Sequence, residues 1–304
     1  MNGFAKNLMV WKLGVVLAVL VCLLCGCQGP AIQRFGHELT AEGQAKSQPV
    51  TGILGAFEQE IVILEDKLTE PRGQKIEGIR FVTGKLSGRR VVVGWTGIGT
   101  VNAAVATALM VEHFKPGEII FTGVAGAVNP QLLPGDIVVA EKIAYHDMGV
   151  LTTEGLLYKG VKNRLDGIEN PVFFPADEQL LKLAEKAAGQ VKLGILRTSE
   201  GDRSPKIVKG VIVTGDTFIA SKDKCAELRA KLGADAVEME GAAVAQVCYQ
   251  REIPFVVIRC ISDKADASAK EDLATFYVMS AENSANLVAE MVGLFEDTKI
   301  KNKK

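Results

Sequence analysis

Short apolar runs alternate with longer amphipathic stretches along the chain from residue 50 onward. Short apolar runs bounded by turn residues are typical of buried strands, whereas apolar positions three to four residues apart are typical of helices. The pattern predicts strands near residues 50–55, 78–84, 90–95, 118–123, 136–145, 191–198, 208–214, 234–238 and 254–261. It predicts helices near residues 57–69, 99–114, 177–189, 221–232, 239–251 and 270–296.

The alternation of strands and helices predicts an α/β fold. Strands joined by helical connections run parallel and are covered on both faces. We therefore expect a three-layer αβα sandwich around a mixed, largely parallel, twisted sheet. No repeat or boundary interrupts the pattern, which predicts one domain over residues 50–297 and a basic tail over 298–304. The segment 146–176 reads as a long loop, and loops of that length are usually functional or disordered.

The first 49 residues differ from the rest. A positively charged start precedes an apolar run, Leu13 to Gly26, which is typical of a secretory signal and short for a membrane span. Its Leu-x-Gly-Cys ending resembles the bacterial lipobox, which implies a lipid on Cys27. Residues 1–26 would then be the signal peptide and 27–49 a flexible tether, on a protein facing the periplasm or cell surface. An uncleaved anchor and plain secretion are the alternatives.

Composition narrows the function classes. Hydrophobic residues make up 48% of the chain and charged residues 23%, as in ordinary soluble α/β proteins. The formal net charge is −1 and there is no basic stripe, so we expect no nucleic-acid partner. No cysteine or histidine spacing is typical of a metal or haem site, so we expect no metal and no cofactor. Contact with a membrane is expected only through the N-terminal lipid.

Candidate chemistry appears at the end of the last predicted strand. The apolar run Pro254 to Ile258 leads into Arg259, Ser262 and Asp263. Ligands bind at such strand ends in open α/β sheets. A carboxyl beside a hydroxyl and a guanidinium suits the delivery of a proton to a leaving group. Ser and Asp also favour a helix N-cap, and on this segment alone the cap is the better interpretation.

Other motifs occur in a characteristic order: Gly52–Glu60, Gly97–Ile98–Gly99, Thr122–Ala127, Thr214–Ile219 and Val237–Ala243. With Arg259–Asp263 they resemble the nucleoside phosphorylase/nucleosidase superfamily. Within it, the set is similar to the 5′-methylthioadenosine/S-adenosylhomocysteine nucleosidases, from about Val50 to Phe295. The resemblance implies a fold of the nucleoside phosphorylase type, a homodimer, and an adenine nucleoside as the small-molecule partner. It also implies hydrolysis of the N-ribosidic bond with release of adenine.

The resemblance assigns roles to three acidic residues. Asp263 would protonate N7 of adenine, with Ser262 holding its carboxyl in place. Glu60 would position and activate the attacking water, and Glu240 would hold the ribose hydroxyls beneath the developing cation. The alternatives are a helix cap for Asp263, a carboxylate that complements a helix dipole for Glu60, and a helix start for Glu240.

The adenine and sugar contacts follow from the same motifs. Phe218 would stack on the base while Ile219 reads its edge through the backbone, and Met239 would pack against the sugar. Gly126 would let the backbone lie close to the ligand. Met239 and Ile219 are also plausible as ordinary core residues.

Three further positions bear on the same resemblance. Arg259 would order the water or the ribose, and a structural ion pair is an equal alternative. Val124 stands where the family commonly has Ser, so one polar contact near the water or ribose is missing. Leu273 stands where Phe is common, which predicts a less aromatic lid over the 5′ group.

Two other functions compete with hydrolysis. A phosphorylase needs a phosphate pocket, but the segment Gly52–Glu60 has no Arg and carries Glu58 and Glu60, which would repel phosphate. A non-catalytic, surface-tethered nucleoside binder would not need an acid and a base on opposite faces of the sugar. Hydrolysis is therefore favoured, with the 5′ group (methylthio, homocysteinyl or futalosine-type) left open.

Overall fold

The computed structural model describes residues 49–163, 167, 169–198 and 201–301. The predicted signal peptide, Cys27 and nearly all of the predicted tether lie outside these residues, as do the last three residues of the predicted tail. Among the described helices, none combines the length and the apolar character that crossing a membrane requires.

The described residues form strands and helices from Thr51 to Lys301, with runs of consecutive strands over residues 69–95 and 118–175. The strands are β1 (Thr51–Gly55), β2 (Thr69–Ile76), β3 (Ile79–Leu86), β4 (Arg89–Trp95), β5 (Glu118–Phe121), β6 (Val124–Ala127), β7 (Ile137–Tyr145), β8 (Gly149–Thr152), β9 (Gly155–Tyr158), β10 (Phe173–Pro175), β11 (Leu196–Thr198), β12 (Gly201–Arg203), β13 (Ile207–Thr214), β14 (Ala236–Glu238) and β15 (Phe255–Asp263). The helices are α1 (Glu58–Glu65), α2 (Thr100–Phe114), α3 (Glu178–Ala188), α4 (Lys222–Leu232), α5 (Gly241–Gln250) and α6 (Ala269–Lys301).

One large mixed sheet organises the fold. Its strand order is β10-β7-β13-β14-β6-β15-β5-β1-β4-β3-β2. The central strands β4, β1, β5, β15 and β6 are parallel, whereas β14 and β6 pair antiparallel. β7 also pairs antiparallel with β15, which closes the sheet on itself around β13, β14 and β6.

Helices cover both faces of this sheet. Apolar residues of α1, α3 and α6 pack in one buried cluster, which includes Ile61, Leu180 and Leu287. Residues of α2 and α5 pack in a second cluster, which includes Met110 and Val244. The predicted three-layer α/β fold with a mixed sheet is thereby confirmed.

Several predicted boundaries were wrong. The strand predicted at 191–198 is only β11, because that segment pairs with β12 in a separate hairpin and not with the main sheet. The helix predicted at 57–69 ends at Glu65, and β2 begins at Thr69. Helix α6 continues to Lys301, so the predicted basic tail begins within a helix. The predicted loop 146–176 contains the β8–β9 hairpin and β10.

The fold brings distant segments to one place. Helix α1 follows β1 directly, and the start of β6 lies beside the middle of β15, with Val124 opposite Cys260. Strand β14 ends at Glu238 beside the same β6 strand. Residues near the start of α1 and residues at the end of β15 therefore come together at β6.

Candidate active site

Glu60 lies in the first turn of α1, buried to 2% exposure. Its Oε2 atom accepts hydrogen bonds from the backbone N–H groups of Ala56 (2.7 Å) and Phe57 (3.0 Å). Its Oε1 atom accepts a longer bond from Val124 N at 3.2 Å. Burial raises the pKa of Glu60, and the charge of Arg259 and these N–H donors offset only part of that rise. A carboxylate with a raised pKa is a better proton acceptor, which suits a general base.

Asp263 ends β15 and is also buried, at 2% exposure. Ser262 Oγ donates to its Oδ2 atom at 2.8 Å, and the backbone N–H of Ala265 donates to Oδ1 at 2.8 Å. The register between β15 and β6 shifts at Ser262, because Ile261 pairs with Ala125 whereas Asp263 pairs with Gly126. Such a bulge re-aims the side chains that follow it. Burial raises the pKa of Asp263 against the lowering effect of these two donors.

Glu240 is the N-cap residue of α5, yet its side chain does not cap that helix. The neighbouring Glu238 takes this task, since its carboxylate accepts from Glu240 N (3.0 Å) and Gly241 N (2.8 Å). The carboxylate of Glu240 instead accepts from Gly99 N at 2.8 Å. Burial, and then repulsion from Glu238, raise the pKa of Glu240. Glu238 lies within the Val237–Ala243 motif, but the sequence did not indicate this function.

Arg259 connects the carboxylates. Its Nη2 atom lies 2.6 Å from Glu238 Oε2 and 3.7 Å from Glu240 Oε2, and its guanidinium stacks 4.1 Å from the ring centre of Phe121. The ion pair that was one of the two alternatives for Arg259 is therefore present. Within the described residues, its Nε and Nη1 atoms have no hydrogen-bond partner. A Cβ atom at Gly123 would lie 2.7 Å from Nη1 and 2.8 Å from Glu60 Oε1, so only glycine lets these groups lie so close.

Strand β6 links the two candidate catalytic carboxyls. Val124 N contacts Glu60, and Gly126, two residues further on, lies against Asp263. A Cβ atom at Gly126 would stand 2.8 Å from Asp263 Oδ1, which requires glycine there. The two carboxyls therefore lie against points two residues apart on the same strand.

A small cavity lies beside Asp263. It is lined by Gly126, Thr217, Phe218, Ile219, Val237, Glu238, Met239 and Asp263. Phe218 is 41% exposed and Ile219 is 9% exposed, so the phenyl ring is the more accessible of the two. The structure thus brings five of the predicted site residues to one cavity, and Glu240 is the chain neighbour of its Met239.

Asp216 is a further residue that sequence reasoning did not single out. Its carboxylate accepts from Thr100 N (2.7 Å) and Thr100 Oγ1 (2.5 Å) at the start of α2, and its own N–H donates to Asp147 at 3.0 Å. These bonds tie the 97–100 segment, which contacts Glu240, to the 215–219 segment at the small cavity beside Asp263. Asp216 lies in the Thr214–Ile219 motif, but the motif gives no indication of its contact with the start of α2.

The described residues hold no group of three or more His, Cys, Asp and Glu placed to bind a metal ion. The arrangement instead consists of the buried guanidinium of Arg259 and four buried carboxyls: Glu60, Glu238, Glu240 and Asp263. Such a site can donate a proton at one end and accept one at the other while stabilising positive charge between them.

Comparison with known proteins agrees with this geometry. The family model of the phosphorylase superfamily matches residues 50–293. A 5′-methylthioadenosine/S-adenosylhomocysteine nucleosidase of Bacillus thuringiensis strain Al Hakam is 36% identical over 241 residues, covering 79% of this chain and 96% of the relative.

Solved structures agree as well. The nucleosidase of this name from Colwellia psychrerythraea, in complex with adenine, is 37% identical with a TM-score of 0.70, covering 81% of this chain and 95% of its own. A futalosine hydrolase of Helicobacter pylori is 31% identical with a TM-score of 0.68, covering 80% and 97%. The chain therefore belongs to the phosphorylase superfamily and, within it, to the family of 5′-methylthioadenosine/S-adenosylhomocysteine nucleosidases.

Proposed function

We propose that this protein hydrolyses the N-ribosidic bond of 5′-methylthioadenosine, S-adenosylhomocysteine or both, releasing adenine and the 5-thio-substituted ribose. The observation that carries the proposal is the placement of the Glu60 and Asp263 carboxyls against the same short strand, β6, at Val124 and Gly126. The carboxyl of Asp263 lies beside the cavity that includes Phe218. The carboxyl of Glu60 lies toward Arg259 and Glu240.

The reaction needs an acid at the base. An adenine anion is a poor leaving group, so a proton must reach N7 as the bond to the sugar breaks. Asp263 supplies it, because burial raises its pKa and keeps a larger share of the carboxyl protonated. Ser262 and Ala265 N–H hold the carboxyl toward the cavity.

The reaction also needs a base and a negative environment at the sugar. Glu60 accepts the proton of the attacking water, with Oε2 held by Ala56 and Phe57 and the more weakly bonded Oε1 facing Arg259 and β6. Glu240 binds the ribose hydroxyls and offsets the positive charge that develops on the sugar. Met239, next to it, packs on the sugar ring. The proton balance closes, since Asp263 gives up one proton and Glu60 takes one from water.

Water is the better nucleophile for this site than phosphate. Glu60, Glu238 and Glu240 are all buried near one arginine, whose charge is already matched to Glu238 at 2.6 Å. A phosphate anion placed there would meet a surplus of negative charge in a poorly screened environment.

A base-release assay tests the function. The purified protein is incubated with 5′-methylthioadenosine, S-adenosylhomocysteine and a futalosine-type nucleoside, each with and without phosphate. We expect adenine and free methylthioribose without phosphate. A strict phosphate requirement with formation of a ribose phosphate would instead establish a phosphorylase. The relative rates identify the preferred 5′ group.

A homodimer is part of the proposal. Large apolar side chains lie exposed on α2 and its preceding loop and on the β8–β9 hairpin: Ile98, Val101, Val105, Val150, Leu151 and Leu157. The bonds of Asp216 to Thr100 and Asp147 place the base of the hairpin next to the start of α2. Grouped exposed apolar side chains support a protein interface.

We also propose that Cys27 is diacylated and that the protein is exported and anchored to the membrane by this lipid, facing the periplasm or cell surface. The supporting observation is the Leu24–Cys27 motif at the end of a signal-like apolar run. Labelling cells with a radioactive fatty acid tests it. The label is expected on the wild-type protein and lost in Cys27→Ser, and an unlabelled wild-type protein would refute lipidation.

A further inference from the structure

A second cavity, of about 640 Å³, lies on the other side of the 263–266 loop from the candidate active site. Its volume is in the range of sites that hold small organic ligands. Its walls come from the β6–β7 connection and α4, and they share no residue with the small cavity beside Asp263. None of the residues to which we assigned catalysis or substrate binding lines it.

The walls of this cavity are apolar. Val128, Leu132 and Leu133 contribute side chains from the β6–β7 connection, and Ala226 contributes from α4. Leu133 is 37% exposed and Ala226 is exposed, although both face a concave surface. An apolar concavity with a polar rim is the usual form of a ligand site.

The rim carries a surplus of positive charge. Lys222, Lys264 and Asp266 all line the opening, and Lys222 Nζ lies 3.8 Å from Asp266 Oδ2. One carboxylate thus stands beside two ammonium groups. Arg229 also lines the cavity, but its guanidinium is held by Asp235 at 2.5 Å. The two lysines are therefore the groups able to receive an anion.

We propose that this cavity binds a small organic anion, with its apolar body against the β6–β7 connection and α4 and its carboxylate or phosphate at Lys222 and Lys264. The apolar walls match an apolar body because they offer few polar atoms. The rim matches an anionic group because its net charge is positive. The assignment does not depend on the proposed nucleosidase reaction.

The site is physically connected to Asp263. Ser221 N and Cys225 Sγ, at the start of α4, donate to Ala265 O at 2.9 and 3.4 Å. Ala265 N donates in turn to Asp263 Oδ1 at 2.8 Å. Lys264 and Asp266, which would meet the ligand, flank Ala265. A ligand that shifts this loop therefore changes the orientation of the proposed acid, and we expect it to change kcat more than KM.

The test uses naphthyl phosphate, which has a flat apolar body and a charged head, with binding to the full chain followed by fluorescence anisotropy. We expect saturable binding of one molecule per chain that saturating adenine does not displace. Lys264→Glu reverses a rim charge, and Ala226→Trp fills the cavity from the exposed side of α4. Each is expected to weaken binding by at least about tenfold, whereas the exposed Lys270→Glu, outside the cavity, leaves it unchanged.

Displacement by adenine, or equal affinity in wild type, Lys264→Glu and Ala226→Trp, would overturn the site. Circular dichroism of both variants excludes unfolding as the cause of lost binding. Because binding is read without turnover, failure of the nucleosidase assay leaves this result intact. The connection to Asp263 is tested separately: in the active enzyme naphthyl phosphate changes kcat in wild type but not in Ala226→Trp, and an unaffected kcat in wild type refutes the connection.

Discussion

The carboxyl of Asp263 combines two opposed influences. Burial raises its pKa, whereas the N–H of Ala265 and the hydroxyl of Ser262 lower it. The two donors also fix where the carboxyl points, so the residue is oriented while its burial favours the protonated form. A proton donor at neutral pH needs both properties.

Replacing Asp263 by Asn tests the acid directly. The amide keeps the shape of the side chain but has no proton to deliver, so we expect kcat to fall by about 10²–10⁴-fold with the fold intact. The measurement is adenine release from 5′-methylthioadenosine, with Asp223→Asn on the exposed start of α4 as the matched control. An unchanged rate in Asp263→Asn would remove this residue from the mechanism.

The hydrogen bond from the Ser262 hydroxyl predicts the direction in which the pH profile of activity shifts when that hydroxyl is removed. Its hydrogen bond lowers the pKa of Asp263, so Ser262→Ala raises that pKa. Activity requires Asp263 protonated and Glu60 ionised, so loss of the Asp263 proton sets the alkaline limb of the profile. We expect this limb of kcat/KM to move to higher pH by about one unit.

The acid limb of the same profile provides the internal control. It reports the ionisation of Glu60, whose donors are Ala56, Phe57 and Val124 and not Ser262. It should therefore stay in place when Ser262 is changed. An alkaline limb that moves to lower pH would contradict the assigned hydrogen bond.

At the scale of elements, Glu238 connects β14, α5 and β15. Its carboxylate accepts from Gly241 N at the start of α5, from the hydroxyl of Thr214 and from Arg259. Arg259 is 1% exposed, so its buried positive charge needs the carboxylate of Glu238 as a counter-charge. The pair holds the segment that carries Glu240 against the strand that carries Asp263.

Removal of that charge is expected to destabilise the protein strongly. Glu238→Gln leaves Arg259 buried without its closest counter-charge, and we expect the free energy of unfolding to fall by about 3–5 kcal/mol. Urea denaturation measures it. The control is Glu185→Gln, because the Lys209–Glu185 pair, at 2.5 Å, has both side chains 50% exposed. Exposed pairs contribute about 0–1 kcal/mol, so equal effects of the two changes would be the contrary result.

At the scale of the whole molecule, the exposed apolar residues predict assembly. Leu151 is 81% exposed in the β8–β9 hairpin, so a charged side chain at this position leaves the stability of a monomer unchanged. We expect Leu151→Glu to shift the protein from dimer to monomer in sedimentation velocity. Ile195→Glu, at 59% exposure outside the hairpin and α2, should leave the dimer intact. A monomeric wild-type protein would refute the homodimer.

The central elements were predictable from the sequence because they carry their own signal. Strand β15 begins with the apolar run Phe255–Ile258 and is buried at every position, and α3 has the amphipathic spacing expected of a helix on a sheet. Strand β2 was missed because nearly all its residues are exposed and show no alternation. Strand β6 was not predicted because its four residues, Val124–Ala127, are small and too few to show an alternating pattern.

The candidate site divides in the same way. Glu60, Glu240 and Asp263 were found because each lies in a short motif of a family that the sequence resembles. Glu238 was not, since its partners Thr214 and Arg259 are 24 and 21 residues away along the chain. The second cavity had no sequence signal at all, because its walls come from separate segments.

By itself, then, the sequence determined the α/β class, most strand and helix positions and the family, and it named three acidic residues as candidates for the site. Periodicity and motifs are properties of short segments. Because each apolar face must be buried, they largely determine whether a segment forms a strand or a helix. The tertiary structure decided the closure of β7 on β15, the bulge at Ser262, the exchange of capping between Glu238 and Glu240, and the cavity behind Ala265. Each depends on pairing or packing between residues far apart in the chain, which only the folded backbone brings together.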